Sequence, residues 1–404
     1  LQKVGCIVSL SVWVAGAEWL LALAWLGRSV GTWYHLGEVP NLLDARYAGA
    51  VGDGPALSVV VPALNEAEAI GACLRSLLGS RGIRLEILAV DDRSTDATGA
   101  IMESVAAEAA GTGHSLRVVH IAALPEGWLG KPHALAVAAA EASAPYLLFT
   151  DADGVFAPDA LARAMRLVEL EAADHLVLLP SLIHKNAGER MMLSGILTLS
   201  MWGVRLWKIA EPGARDSIGV GCFNLVRREA LEAIGGFAGL RMEVVEDLRL
   251  GFMIKDRGLR QRVAFGPGLL RLYWASGAGG IVRNLTKNAF SVYQYRLGLF
   301  LAATFGVAVL TLAPVAGVFG PTVVRVPSVL TLLIVLACYR GTARRTGISA
   351  GYAALYPVAM GLLLYAMLRS AAVTLGRGGV LWRGTFYPLA ELRRNAGPLW
   401  RLRR

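Results

Sequence analysis

Between residues 55 and 296, short unbroken apolar runs alternate with longer amphipathic stretches. LSVVVPA at 57–63 is apolar throughout, ends next to a proline and predicts a strand. The segment 65–78 predicts a helix with Glu66 and Glu68 in its first turn. Residues 85–90 predict a second strand closed by Asp91 and Asp92, and the alanine-rich 98–110 a second helix. Strand 116–120, helix 131–142 and strand 146–150 follow, the last again ending in acids, Asp151 and Asp153. Strands that are apolar at every position are buried on both faces, as in parallel sheets covered by helices. The expected fold class is therefore α/β with a mostly parallel sheet. Open sheets of this kind bind ligands at the carboxyl ends of their strands, where the acids gather. No G-x-G-x-x-G follows the first strand and no Walker lysine motif occurs, so a nucleotide site here has to be built from strand-end side chains.

The flanks follow a different pattern. Residues 4–26 are apolar except for Glu18 and long enough to cross a bilayer, and they lack the basic start and small-residue cleavage site of a signal peptide. From Leu297 to about Ala337 the chain is apolar again, interrupted at Pro314, Gly320, Pro321, Arg325 and Pro327. Two spans are expected there, 297–317 and 326–339, the second short unless it recruits residues before Pro327. A third is expected at 348–368. The stretch 190–209 carries Trp202 and Trp207 with only Arg190, Arg205 and Lys208 charged. An interfacial helix in the headgroup layer fits it; a buried domain helix or a re-entrant segment are the alternatives. The expected organisation is a membrane helix at 1–28, a globular domain at 55–296, membrane segments at 297–368 and a basic tail at 369–404.

Composition agrees with that division. Hydrophobic residues make up 55% of the 404 and charged ones 17%, against about 25% charged in a soluble domain. The net charge of +10 invites a nucleic-acid reading. However, no recognition helix or aromatic-and-basic strand pattern is present, and no nucleic-acid partner is expected. Much of the excess is arginine beside apolar segments: Arg340, Arg344 and Arg345, then Arg369, Arg377 and the arginines of the tail. Such residues favour anionic headgroups and the cytoplasmic face. The cytoplasmic side is accordingly expected for the globular domain; the side of the tail is left open. The four cysteines are scattered with no C-x-x-C, which excludes a disulfide framework or zinc ribbon as the organising feature.

Asp151 and Asp153, spaced i and i+2 after a strand, can converge on one hard divalent ion. Mg²⁺ or Mn²⁺ takes oxygen ligands and shares them with phosphates. Such an ion neutralises charge developing on a diphosphate leaving group. Asp91 and Asp92 are adjacent carboxylates that need donors close by, and the imide of a base or the hydroxyls of a ribose would supply them. Lys131, in PEGWLGKPH at 125–133, stands where a helix begins; an ammonium beside helix N-terminal amides can clamp phosphate. Gly221, in GVGCFN at 219–224, is either a close approach of the backbone to a ligand or a turn before a strand. Glu246 and Asp247 fall at a helix start, where they stabilise the macrodipole. A displacement at a diphosphate site also requires a base, and Asp247 is assigned that role with Glu246 positioning it. Arg283 and Lys287, four apart, share one helix face that could meet a diphosphate or lipid headgroups.

Taken together, VVPALNEAEAI, AVDDRSTDATG, GWLGKPHAL, FTDAD, GVGCF and EVVEDLRLG resemble membrane-bound family 2 glycosyltransferases of GT-A fold. The resemblance is nearest to the hopene-associated members, with carotenoid- and ceramide-glycosylating relatives beside them. It covers about residues 55–290 and extends loosely to WRGTFY at 382–387. It implies that Asp91 and Asp92 hold the nucleotide, that Asp151 and Asp153 bind the metal, that Lys131 contacts donor phosphate and that Asp247 is the base. It also implies inversion at the anomeric carbon, a nucleotide-sugar donor (often uridine-linked) and a lipid acceptor such as a hopanoid, carotenoid, sphingoid or glycerolipid. An inner-membrane location with a cytoplasmic site follows the same resemblance. Processive synthases carry Q-x-x-R-W after the acid pair; here the chain reads GIVRNLTKN at 280–288. Transfer of a single sugar is therefore expected, with a processive synthase or a non-catalytic nucleotide-sugar binder as rivals.

Overall fold

The computed structural model describes residues 2–51 and 55–399, with the side chains of 2–10 and of residue 55 left aside. The helices are α1 (Gln2–His35), α2 (Ile70–Leu78), α3 (Thr98–Glu108), α4 (Gly130–Glu141), α5 (Ala160–Glu171), α6 (Ala187–Gly203), α7 (Arg228–Ala233), α8 (Glu246–Asp256), α9 (Gly277–Val292), α10 (Leu297–Gly317), α11 (Thr322–Thr346), α12 (Tyr356–Arg377) and α13 (Leu389–Asn395). The strands are β1 (Pro55–Ala63), β2 (Arg84–Asp92), β3 (Ser115–Ile121), β4 (Tyr146–Phe149), β5 (Val155–Phe156), β6 (His175–Leu178), β7 (Ser181–Leu182), β8 (Asn224–Arg227), β9 (Gln261–Ala264), β10 (Leu270–Leu272), β11 (Gly379–Trp382) and β12 (Thr385–Pro388). The chain divides into two compact units. One comprises Val39–Ile183, Leu206–Trp274 and Leu381–Arg404; the other comprises Leu1–Glu38, His184–Arg205 and Ala275–Val380.

The first unit is the expected α/β domain. Its seven-stranded sheet runs β3-β2-β1-β4-β8-β6-β9, and β8 pairs antiparallel with both of its neighbours. The continuous apolar strands are explained by burial on both faces. Val59, Val61, Ile87 and Ala89 pack with α2, α3 and α5, while Val60, Leu88, Val90 and Phe149 pack with α4, α7 and α8. Register then positions the acids. Ala63 lies opposite Asp91, Asp91 opposite His120, and Val60 opposite Phe149, so β1, β2, β3 and β4 end along one edge. Because β8 is antiparallel, Phe149 faces Asn224 at its start, which brings the loop before β8 to the same edge.

The element bounds differ from expectation where side chains capture the backbone. Helix α2 begins at Ile70 rather than residue 65. Asn65 adopts a left-handed φ of 56°, its side chain accepts from the Thr95 amide at 2.8 Å, and its own amide donates to Ser94 Oγ at 3.1 Å. These bonds hold residues 64–69 as a loop against the turn after β2, consistent with the preference of asparagine for such bonding.

The second unit is helical. Among the described residues three helical segments are long and apolar enough to cross a membrane: Leu297–Gly317, Thr322–Thr346 and Ala350–Arg377. The first matches the expected bounds. The second is longer than expected because it incorporates Pro327, which stands inside the helix. The third begins with a 3₁₀ turn, Ala350–Leu355, and runs past 368 to Arg377. The N-terminal apolar segment lies in one continuous helix, α1, of 34 residues. The helix expected at 190–209 has other bounds. α6 starts earlier, at a capping box formed by Asn186 and Glu189, and stops at Gly203. Trp207 sits instead on a 3₁₀ turn of the α/β unit. Within the helical unit Trp202 stacks on Trp25 at 4.4 Å and Thr198 bonds Thr342 at 3.0 Å, so α6 is packed among helices over at least part of its length.

Candidate active site

Two acid groups meet at the strand-end edge. The first ends β2. Successive residues of a strand point to opposite faces, and Asp91 and Asp92 do so. Asp91 accepts from the Ser94 amide at 3.1 Å and contacts His120 Nδ1 at 3.1 Å. A Cβ on Gly99 would stand 2.6 Å from its Oδ2, so glycine is what lets α3 begin there. His120 is raised above the usual imidazole range by Glu103 and then Asp91. Asp92, on the other face, is gripped by both guanidinium nitrogens of Arg93, at 2.7 and 3.0 Å. Both carboxylates are buried. Donors that adjacent acids require are thus supplied in part by the protein itself.

The second group gathers around Lys131. Its Nζ lies 2.7 Å from Asp151 Oδ1 and 2.8 Å from Glu246 Oε1. Burial would lower its pKa, but Asp151, Glu246 and Asp247 outweigh that and hold it well above the ordinary lysine value. Asp247 follows Glu246 in the first turn of α8 and accepts the Leu248 amide at 2.8 Å. Burial first, and then Glu246, push its carboxyl up to about 6. Gly221 explains why these groups can converge. A Cβ there would lie 3.0 Å from Asp151 Oδ2, 3.2 Å from Lys131 Nζ and 3.5 Å from Asp247 Oδ2. A Cβ on Gly219 would overlap the carbonyl of Asp247. Of the two readings of GVGCFN, the turn is seen, Phe223 N donating to Val220 O at 2.9 Å before β8, and the close approach at Gly219 and Gly221 is to the protein's own groups. Behind Lys131 the acids enclose a cavity of about 10 Å³, the size of one water. A larger ligand must therefore approach from the side of Asp151, whose side chain is 38% exposed.

The first turn of α4 joins the two groups. Lys131 serves the second, and Gly130 lies against the first, since a Cβ on it would stand 2.6 Å from Asp92 Oδ2 and 2.8 Å from Arg93 Nη2. His133 is held below the usual imidazole range by burial and stacks edge-on to Trp128 at 5.5 Å. Arg283 and Lys287 do share one helix, α9, but it belongs to the helical unit.

Asp151 and Asp153 lie in the turn after β4. Asp153 Oδ1 is buried and meets no hydrogen-bond donor. Its carboxyl is pushed up to about 7 by burial, then by Asp151 and Glu66. Among the described residues no group of three or more His, Cys, Asp or Glu forms a ready metal cage. The pair nevertheless fits a divalent ion that completes its shell with a ligand's oxygens: two hard donors, with one oxygen of Asp153 meeting no hydrogen-bond donor.

The C-terminal hairpin adds side chains that reading the residues did not assign. β11 and β12 turn at Arg383 and Gly384, with φ of 47° and 82°. Arg383 donates to Leu64 O at 2.6 Å and to Glu66 Oε1 at 2.7 Å. Glu66 is one of the charges acting on Asp153. Tyr387 is buried, and its neighbours include Gly130, Arg93 and Asp92. WRGTFY thus reaches both acid groups.

Residues 58–248 match Glycosyl transferase family 2, a little under half of the chain. Most of that segment lies in the α/β unit, whose fold is of GT-A type. A 4,4'-diaponeurosporenoate glycosyltransferase of Staphylococcus aureus, in strain MRSA252, is 26% identical over 208 residues, 50% of this chain and 52% of the relative. The same enzyme in strain USA300 matches equally. The chain therefore spans about half the length of the curated relatives it matches. Among solved structures, the mannosyltransferase PcManGT from Pyrobaculum calidifontis, in complex with GDP-Man and Mn²⁺, superposes with a TM-score of 0.53 at 20% identity. The superposition covers 89% of this chain and 98% of that one. At that identity the likeness establishes the fold alone.

Proposed function

We propose that the protein transfers a single sugar from a nucleoside diphosphate sugar to a hydroxyl of a membrane lipid, with inversion at the anomeric carbon. The observation that carries this is the convergence of Asp151, Lys131 and Asp247 around Gly221. A leaving-group site and a candidate base then face one small space. The acceptor oxygen forms a bond to the anomeric carbon while the bond from that carbon to the diphosphate oxygen breaks, and the diphosphate departs with the electron pair. Asp247 takes the acceptor's proton; a carboxyl at about 6 is ionised at neutral pH yet more basic than a free aspartate. Glu246 holds Lys131 beside it. Lys131 is poised to exchange its contact with Asp151 for one with donor phosphate.

Asp151 and Asp153 would hold Mg²⁺ or Mn²⁺, which when bound neutralises charge on the departing diphosphate. Asp91 and Asp92 line the nucleotide side, with Arg93 and His120 fixing their rotamers, and a uridine donor is the reading carried from the resemblance. Arg283 and Lys287 remain candidates for headgroup or phosphate contact. The carotenoid relative and the three membrane-length helices support an apolar lipid acceptor; a hopanoid is the specific reading. We place the globular domain on the cytoplasmic side, with α1 as a further span.

The test is transfer by protein purified in detergent, with radiolabelled UDP and GDP sugars, Mn²⁺ and total lipid extract, read as label in the organic phase and by mass spectrometry. One sugar per lipid is expected. Label in a water-soluble polymer would establish a processive synthase, and donor binding without any transfer would establish the non-catalytic reading.

A further inference from the structure

The helical unit contains a cavity unrelated to the acids. It measures about 520 Å³ and lies among α1, α6 and α11, within the range of small-molecule sites. Its base is closed by helix-to-helix polar contacts: Ser29 Oγ with Cys338 Sγ at 3.2 Å, and Thr198 with Thr342 at 3.0 Å. Its walls are apolar, with Leu36 on α1's side and Met201 and Trp202 on α6.

What faces the space from α11 is cationic. Arg340 and Arg344, one helical turn apart, both line it. Neither takes part in any ion pair or hydrogen bond among the described residues. Opposite them Thr32 is 7% exposed, and its hydroxyl meets no partner although it lines the cavity. The Trp33 indole nitrogen lies 3.6 Å from where a Cβ on Gly341 would stand, which places the ring against α11. Basic residues in a last helical turn pair with the macrodipole, which accounts for Arg344. It accounts neither for the cavity nor for a buried hydroxyl with nothing to bond.

We propose that this cavity binds one anionic phospholipid. The phosphate lies between Arg340 and Arg344, with the Thr32 hydroxyl and the Trp33 indole as further donors, and the upper acyl chains lie against Leu36, Met201 and Trp202. The chemistry matches at both ends. Guanidinium forks suit phosphate oxygens, and a free phosphate would leave the apolar wall against water. The proposal rests on the reading that the helical unit is embedded in a bilayer.

The experiment is extraction from membranes in a mild detergent, then native mass spectrometry with identification of retained lipid. Reconstitution into phosphatidylcholine nanodiscs with graded phosphatidylglycerol follows. Wild type should retain one anionic phospholipid per chain. The double variant Arg340→Gln/Arg344→Gln should lose about thirtyfold in retention, the product of two basic contacts to an anionic lipid. Gly341→Leu, which fills the cavity while keeping both arginines, should lose it as well. Arg377→Gln, at the end of α12, should behave as wild type. Equal retention by wild type and the double variant, equal retention of phosphatidylcholine, or displacement by millimolar inorganic phosphate would each overturn the proposal. Recovery of the chain in the soluble fraction would instead overturn the membrane reading beneath it.

Discussion

Replacing Asp247 with asparagine separates catalysis from stability. The amide is isosteric, and its oxygen can still accept the Leu248 amide. Lys131 keeps Asp151 and Glu246, so no buried cation is stranded. The carboxyl titrates at about 6 in the folded chain against an ordinary 3.8. A raised acid pKa means that ionisation costs more folded than unfolded. The penalty is absent below pH about 4, grows between the two values and is complete above about 6. Two units correspond to roughly 3 kcal/mol, and solvent screening of a half-buried group leaves about 1 kcal/mol. Asp247→Asn should therefore raise the unfolding temperature at pH 7.5 by about 1–3 °C and leave it unchanged at pH 4. Transfer should fall by about 10²–10⁴-fold, the usual contribution of a positioned base. Thermal unfolding in detergent and radiolabel transfer on the same preparation read both. Transfer above a tenth of wild type refutes the base assignment. Loss of transfer together with a lower unfolding temperature refutes the reasoning about the site's electrostatics.

Four further outcomes follow from the same geometry. Asp153→Asn should abolish the rise in unfolding temperature that Mn²⁺ produces in wild type; a persisting rise removes Asp153 from the cation site. Arg383→Ala, which releases Leu64 and Glu66, should raise the donor KM about tenfold with kcat nearly unchanged, in line with loss of one charged hydrogen bond; steady-state kinetics decide, and an unchanged KM would confine the hairpin to anchoring. Gly221→Ala places a methyl 3.0 Å from Asp151 Oδ2 and should cut transfer at least tenfold, whereas near-wild-type turnover would show that the loop has room to spare. Finally, kcat/KM should fall as pH drops through about 6, where Asp247 takes its proton; a flat profile between pH 5 and 8 would contradict that base.

The α/β core was legible because period and burial leave one solution. Four apolar strands with helical connections and acids at their ends read as a parallel sheet, and Asp91, Asp151 and Asp153 fall at the edge that reading requires. Leu297–Gly317 was legible for a similar reason, since a bilayer-length apolar run has few other uses. What escaped were features set by single side-chain bonds. Nothing local in NEAEAI announces that Asn65 turns left-handed and delays α2 to Ile70, because its partners, Ser94 and Thr95, come thirty residues later. His120 could be paired with Asp91 only once the register of β2 on β3 was known. Arg383 and Glu66 are more than three hundred residues apart, a distance at which no periodicity speaks. Arg93 is the exception: a cation directly after two adjacent acids was a visible hint of where their counter-charge lies.

The two acid pairs look alike in sequence, and the structure distinguishes them by what surrounds them. At the end of β2 the protein supplies a guanidinium, an imidazole and an amide, and the buried carboxylates are satisfied by their own chain. After β4 it supplies Lys131 to Asp151 and no donor to Asp153 Oδ1, whose carboxyl rises to about 7. A buried acid without a partner persists at a cost. Glu66, which would otherwise add repulsion, is drawn off by Arg383. The unequal provision suits the two pairs to different tasks. The satisfied pair is rigid and suited to presenting fixed acceptors to a nucleotide. The deprived pair is suited to a cation that arrives with the diphosphate, and Lys131 is the movable charge that stands in for it until then.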